Sequence, residues 1–259
     1  MLYYDGTGVS KDEKLAVEWF RKAAEQNNAT AQNWMGHCYL KGLGVSKDEQ
    51  QAVEWYCKAA VKNNADAQNN LGYCYEHGLG VSKDEKLAME WYRKAVEQNY
   101  AAAQNNLGYC YLHGLGVSKD ENQAVEWYRK AAEQNNAAAQ SNLGYCYMHG
   151  LGVSKDEKLA VEWFRKAAEQ NLAFAQNWMG SCYQHGLGVS KDKKLAVEWY
   201  RKAVEQNYAT AQYNLGYCYE HGIGVKRNYL KALEWYKKAG EQGDEDALKS
   251  YKRLEQKLK

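Results

Sequence analysis

The 259-residue chain is 45% hydrophobic and 25% charged, contains no proline, and balances 34 Lys+Arg against 32 Asp+Glu for a net charge of +2. That apolar fraction supports a packed core and excludes disorder, while the charge lacks the basic excess that phosphate-backbone binding requires. No apolar run reaches the ~20 residues that span a bilayer, and Met1-Leu2-Tyr3-Tyr4-Asp5 lacks the parts of a secretory signal, so the chain reads as soluble, without direct membrane insertion.

Tryptophan recurs at 19, 55, 91, 127, 163, 199 and 235, always 36 residues apart, which marks a repeat array. In chain order, Leu2-Tyr3-Tyr4 aligns with Cys38-Tyr39-Leu40, so the first repeat begins near the end of its own first helix, as in a fragment of a longer protein. The repeat between Trp55 and Trp91 serves as the pattern for the rest. Its first helix, helix A, is predicted over Ala65 to His77, with Ala67, Leu71, Cys74 and Tyr75 on one stripe. Gly78 and its equivalents 42, 114, 150, 186 and 222 close helix A in the left-handed conformation.

The loop GLGVSKD follows; it matches neither phosphate-binding glycine motif and joins helix to helix, so it is a structural turn. Helix B then opens on a Ser-x-x-Glu pattern, Ser82/Glu85, repeated at Ser46/Glu49, Ser118/Glu121 and Ser154/Glu157, which predicts a capping box. Ala88, Trp91, Tyr92 and Ala95 are expected inside, and Glu90/Lys94, Glu126/Lys130 and Glu162/Lys166 are expected as i,i+4 pairs outside. At the end of the chain, Leu248, Tyr251, Leu254 and Leu258 form an apolar stripe on a Lys- and Glu-rich segment, as in a terminal cap. Segment 9–27 is identical to 153–171, which points to internal duplication.

The string A-x-A-Q-x-x-LG-x-x-Y-x-x-G-x-GV-x-KD…A-x-x-W-x-x-KAA resembles the Sel-one-like repeat family, a relative of the tetratricopeptide repeats, over nearly the whole chain. The resemblance implies an all-α fold, a right-handed superhelical α/α solenoid of 36-residue helix-loop-helix repeats. The expected organisation is a partial repeat over 1–28, six full repeats over 29–244 and a capping helix over 245–259. Some secreted members of the family staple each repeat with a cysteine pair. The aligned places here, such as Ala24 and Gln32, are not cysteine, which favours a reducing, cytoplasmic location.

Cys38, Cys74, Cys110, Cys146, Cys182 and Cys218 recur once per repeat and read as buried free thiols. Cys57 replaces the arginine seen at Arg21, Arg93 and Arg129, on the side of helix B expected to face solvent. Histidines at 37, 77, 113, 149, 185 and 221 lie near the end of helix A. They suit the negative end of the helix dipole, and equally a ligand groove. A metal site is disfavoured, because equivalent residues in stacked repeats lie roughly 8–10 Å apart.

In related tetratricopeptide arrays helix A lines the concave face, and carrying that register over selects Asp66, Asn69, Tyr73, Glu76 and His77. Along the chain this gives an amide ladder (Asn33, Asn69, Asn105, Asn177), a tyrosine ladder (Tyr73, Tyr109, Tyr145, Tyr217) and a histidine ladder (His77, His113, His149, His185, His221). Two positions vary among otherwise similar repeats: Thr30, Asp66, Ala102, Ala138, Phe174, Thr210, and Leu40, Glu76, Leu112, Met148, Gln184, Glu220. Side-chain specificity is one account of that variation; drift on a solvated face is the other. The favoured function is a non-enzymatic scaffold or adaptor for a protein or peptide, with no cofactor and no nucleic-acid partner. An RNA-binding array would need basic ladders over the groove. A hydrolase-type enzyme would need a constellation that breaks the period, and every Ser, His and Asp of interest recurs.

Overall fold

The structure is a computed structural model and describes residues 12–258; residues 1–11, with the Leu2-Tyr3-Tyr4 alignment and the first eleven residues of the partial repeat, lie outside the described residues, as does residue 259. Among the described residues there are fourteen α-helices and no strands. In chain order they are α1 Glu13–Glu25, α2 Ala29–Lys41, α3 Glu49–Ala60, α4 Ala65–His77, α5 Glu85–Glu97, α6 Ala101–His113 and α7 Glu121–Glu133. They continue as α8 Ala137–His149, α9 Glu157–Glu169, α10 Ala173–His185, α11 Lys193–Glu205, α12 Ala209–His221, α13 Tyr229–Glu241 and α14 Glu245–Leu258. Even-numbered helices are of the A type and odd-numbered ones of the B type. No helix among the described residues is long and apolar enough to cross a membrane.

The helix ends follow local chemistry. Each A helix from α2 to α12 stops at a glycine with φ between 70° and 78°, a conformation that costs glycine little. The expected Ser-x-x-Glu box does not form at the start of helix B. Instead Asp84 is the N-cap of α5 and its carboxylate accepts the Leu87 N–H at 3.0 Å, as Asp48, Asp156 and Asp192 do in α3, α9 and α11. The reason lies in the loop: the Asp84 N–H donates to the Tyr75 carbonyl at 2.9 Å, which holds Asp84, and not Ser82, at the helix entrance. Glu85 is then the first helical residue, bonded to the Lys83 ammonium at 2.7 Å and to the Gly116 N–H at 3.2 Å.

The helices gather into two compact units, Met1–Ala131 and Ala132–Lys259. Within each, consecutive A and B helices pack in sequence as a solenoid. One cluster in the first unit joins Ala52, Val53 and Tyr56 of α3 to Ala67, Leu71 and Cys74 of α4. One in the second joins Ala160, Val161 and Phe164 of α9 to Ala175, Met179 and Cys182 of α10. Small residues permit the close approach: a Cβ on Gly72 would stand 2.7 Å from two ring carbons of the fully buried Tyr92.

The expected inward tryptophan is only half-buried, and Met89 takes the interior place beside Ala88 and Tyr92. Lys94 and Lys166, expected as partners of Glu90 and Glu162, lie instead over the rings of Trp91 and Trp163, 3.9 and 4.0 Å from the ring centres. A cation over an indole face is attracted to the ring's negative quadrupole, and one helical turn places Lys at i+3 above Trp.

Within each unit a buried amide lattice joins successive repeats. The side-chain N–H of Gln68 donates back to the Ala60 carbonyl and to Asn63 Oδ1 of the preceding repeat, both at 3.2 Å, while Gln98, at the far end of the repeat that begins with Gln68's helix, donates to Gln68 Oε1 at 2.8 Å and to Asn63 Oδ1 at 3.1 Å. Gln140, Asn135 and Gln170 repeat this arrangement in the second unit, as do Gln176, Asn171 and Gln206. Asn63 and its equivalents adopt φ near +60°, which asparagine tolerates better than most residues.

Candidate ligand-binding face

The face selected from the sequence is the part of helix A not used against helix B. Its tyrosines stand outward: Tyr73 and Tyr109 in the first unit are 42% and 43% exposed, and Tyr217 in the second is 38% exposed. Tyr145 is half-buried. Each carries a histidine ring one turn on, with centroid separations of 4.1 Å for Tyr73/His77 and 4.3 Å for Tyr109/His113, Tyr145/His149 and Tyr217/His221. His77 Nδ1 lies 3.1 Å from the Tyr73 carbonyl at the helix end, so the imidazole serves the terminus as well as facing outward. His185 is exposed beside Gln184, and Ser181 occupies the tyrosine place before it. His37 is half-buried, and its pKa is lowered by burial and then by the neighbouring Lys41. Among the described residues no group of three or more His, Cys, Asp or Glu side chains could hold a metal ion.

The amide ladder is partly committed to the scaffold. Asn33 Oδ1 accepts from Asn70 Nδ2 at 2.9 Å, Asn69 from Asn106 at 2.9 Å, and Asn177 from Asn214 at 2.8 Å. The first two acceptors remain half-exposed, and Asn105 with them, whereas Asn177 is buried. These bridges fix the amide orientation of the acceptors. The partners at 70, 106 and 214 were not selected from the sequence, although each lies 37 residues beyond a ladder asparagine.

One of the two variable positions is committed to the scaffold in three of its six repeats. Tyr92 donates its hydroxyl to Glu76 at 2.6 Å and Tyr236 to Glu220 at 2.8 Å, and where helix B carries Phe164 the same place holds buried Met148. Of Leu40, Glu76, Leu112, Met148, Gln184 and Glu220, expected to read a ligand, Met148 and Glu220 are buried and Glu76 is held by Tyr92, while Leu40, Leu112 and Gln184 are half-buried. Glu220 is 4% exposed; burial alone would raise its carboxyl pKa, but bonds from Arg253 and Tyr236 hold it below the usual range. The other variable position faces outward, and Asp66 there accepts the Tyr100 hydroxyl at 2.5 Å.

The ladder cysteines are free and buried. Burial pushes the thiol of Cys38 up to about 11 and those of Cys74, Cys110, Cys182 and Cys218 up to about 12. Cys57 is half-buried against the α3/α4 cluster, not on an open surface, and burial raises its pKa as well. At its position Arg93, Arg165 and Arg201 reach the hydroxyls of Tyr111, Tyr183 and Tyr219 at 3.2–3.4 Å, so the side chain turns along the next repeat and not into solvent.

A model of the Sel1 repeat matches residues 1–28, 29–64, 65–100, 101–136, 137–172, 173–208 and 209–244. Among solved structures, a protective antigen of uropathogenic Escherichia coli displaying an SLR fold is 40% identical at a TM-score of 0.74 over 98% of this chain, and the chain spans 54% of that protein's length. A Sel1 repeat protein from Oxalobacter formigenes is 36% identical at a TM-score of 0.77, with 89% of this chain and 97% of that one aligned. An immunity protein from Pseudomonas aeruginosa, 23% identical at a TM-score of 0.57 over 87% of this chain and 81% of that one, shares the fold. No curated protein matches. With its repeats matched from residue 1 to residue 244, the chain belongs to the Sel1-repeat family, whose members generally serve as protein-interaction scaffolds.

Proposed function

We propose that the chain is a non-enzymatic scaffold that binds a protein or peptide segment along the outward face of its A helices, the concave side of the array. The observation that carries this reading is the recurrence of exposed tyrosines on that face, each in ring contact with a histidine. Tyrosine offers a large rigid contact with a polar tip, and aromatic residues dominate binding hot spots. The half-exposed amides of Asn33, Asn69 and Asn105 suit the backbone of an extended segment. The charge of the face is low: α6, α8 and α10 contain no Lys, Arg, Asp or Glu.

The same reading assigns six full repeats to 29–244 and a capping role to 245–259. There Leu254 is fully buried and Arg253 bonds Glu220 at 2.8 Å. Six buried free thiols favour a reducing compartment such as the cytoplasm. The test is capture of partners by the array followed by mass spectrometry, in parallel with the Tyr73→Ala/Tyr109→Ala variant. Partners lost in the variant support the reading; a partner set unchanged by it places binding elsewhere, and nuclease-sensitive capture replaces a protein ligand with RNA.

A further inference from the structure

The stretch that enters the last B helix, α13, departs from the repeat. Residues 226–231, Lys226-Arg227-Asn228-Tyr229-Leu230-Lys231, stand where 82–87 and 154–159 both read Ser-Lys-Asp-Glu-Lys-Leu. Two cations and two acids have become three cations and no acid. Asn228 replaces the aspartate cap and keeps its task, accepting the Lys231 N–H at 3.0 Å, so the helix start is complete without a carboxylate. Before α3, α5, α7 and α9, the lysine at the place of Arg227 is bonded to the glutamate at the place of Tyr229, at 2.7–2.8 Å. Arg227 lacks that partner and lies over the Tyr229 ring, 5.4 Å from its centre.

The added cations converge. Lys226, Arg227 and Lys231 line a recess of about 410 Å³ together with Arg201 of α11, and no carboxylate lines it. One wall is the buried Tyr219, whose hydroxyl accepts from Arg201 at 3.2 Å and whose ring centre lies 5.4 Å from the Lys231 ammonium. None of the four cations pairs with an acid among the described residues; Glu234, one turn beyond Lys231, is bonded to Lys238 at 3.0 Å. The positive edge continues onto α11, because Gly224 of the same loop lies against the Lys193 carbonyl. At the equivalent contact the Gly116 N–H donates to Glu85 at 3.2 Å, a bond that lysine in place of glutamate cannot accept.

Like charges gathered around one recess repel, and an anion entering it relieves that repulsion. The array itself shows which anion suits this edge: in four repeats the cation there holds a carboxylate. Leu230 narrows the choice further. It is 76% exposed, where the other repeats carry Lys14, Gln50, Lys86, Asn122, Lys158 and Lys194. A free anion gains nothing from an exposed leucine, whereas a protein segment with an apolar residue among its acids covers it. We propose that Arg201, Lys226, Arg227, Leu230 and Lys231 form a second docking site, which takes an acidic segment of a partner protein carrying Asp or Glu beside an apolar residue. The site uses no residue of the tyrosine ladder and does not rest on the reading above.

The probes are acetyl-Glu-Glu-Leu-Glu-Glu-amide and its counterpart with glutamine for every glutamate, each followed by ligand-observed saturation-transfer NMR on the full chain. Saturable binding of the acidic peptide is expected, about tenfold tighter than that of the glutamine peptide. It should fade between about 0.01 M and about 1 M salt, as the screening length falls from about 30 Å to about 3 Å. Lys226→Gln/Arg227→Gln/Lys231→Gln should weaken it about tenfold, the product of three exposed ion pairs, with helicity unchanged because all three side chains are exposed. A second variant replaces 226–231 with Ser-Lys-Asp-Glu-Lys-Leu, a set the chain already folds at 82–87, and should lose binding as well. Tyr73→Ala/Tyr109→Ala should bind the acidic peptide as the wild type does. No saturable binding of the acidic peptide, equal binding of the glutamine peptide, or full retention in either variant of 226–231 overturns the proposal. So does loss of binding in the tyrosine variant, which moves the acidic segment to the A-helix face. Cosedimentation with phosphatidylserine vesicles that the triple variant abolishes, without binding of the acidic peptide, replaces the protein segment with a membrane surface. Partner capture through Tyr73 and Tyr109 is scored separately, so either reading can fail while the other stands.

Discussion

Replacing Gln68 with leucine isolates the amide lattice, because leucine keeps most of the buried volume and removes every hydrogen bond. Gln68 is 3% exposed and makes three such bonds: to the Ala60 carbonyl, to Asn63 Oδ1, and from Gln98. At about 1 kcal/mol net per bond, with an added penalty for partners left without one, the loss comes to about 3–4 kcal/mol. That is a large share of the 5–15 kcal/mol typical of a folded domain. Urea unfolding followed by circular dichroism would measure it. Adding Gln98→Leu completes a double-mutant cycle, and about 1 kcal/mol of coupling is expected across the 30 residues that separate the pair. A loss below about 1 kcal/mol, or no coupling, would show that the lattice is incidental and that apolar packing alone joins the repeats.

Gly72→Ala should destabilise more than Gly144→Ala: the new methyl meets Tyr92 at 2.7 Å, with its hydroxyl held by Glu76, whereas Phe164 stands at 2.9 Å with no such anchor. Overpacking costs about 1–3 kcal/mol, offset in both variants by the same gain in helix propensity, so thermal melts of the pair report the difference. Maleimide should reach Cys57 before Cys110 or Cys146, through exposure alone, since burial raises the Cys57 pKa too; peptide mapping of a labelling time course checks the order. Because the Glu220 carboxyl is held below its unfolded value, its contribution to docking α14 is complete above about pH 4.3 and is lost as pH falls through the folded value. Hydrogen exchange in α14 should therefore accelerate on acidification in the wild type, and markedly less so in Glu220→Gln. Tyr73→Ala and Tyr109→Ala should each change stability by about 0.5 kcal/mol or less, while Asn69→Ala should cost about 1 kcal/mol because it breaks the bridge from Asn106, a contrast read by denaturant titration.

The 36-residue period made the helices legible, because glycine ends helix A and an apolar stripe recurs at helical spacing in both helices. The helix B cap was misread because the SKDE segment holds two good capping residues, and only the bond from the Asp84 N–H to the Tyr75 carbonyl decides between them. A signal was present: Ser190 is followed by Lys193, which no capping box tolerates, yet Asp192 remains. The Gln68 lattice was hidden because a glutamine fixed in every repeat looks the same whether it lies on a surface or is buried against a backbone carbonyl. Position 76 looked like a recognition site when followed along the array by itself. Read against the ring sixteen residues later, Glu76 and Glu220 accept the hydroxyls of Tyr92 and Tyr236, a bond that Leu40 and Leu112, before Tyr56 and Tyr128, cannot make. The face itself was legible as polar and aromatic ladders, but the bridge between Asn69 and Asn106 required knowing which residues of successive repeats meet.

The lattice also acts as a ruler on the gene. Gln98 reaches back 30 residues to Gln68 and 35 to Asn63, so an insertion or deletion between them that is not a whole unit moves the donor away from both acceptors. Loss or gain of one complete 36-residue unit restores every such contact with an equivalent residue. Recombination between near-identical copies is therefore tolerated in one frame only, and the identity of 9–27 with 153–171, four units apart, is the trace that such in-frame exchange would leave. Lineages carrying this array should differ in length by multiples of 36 residues.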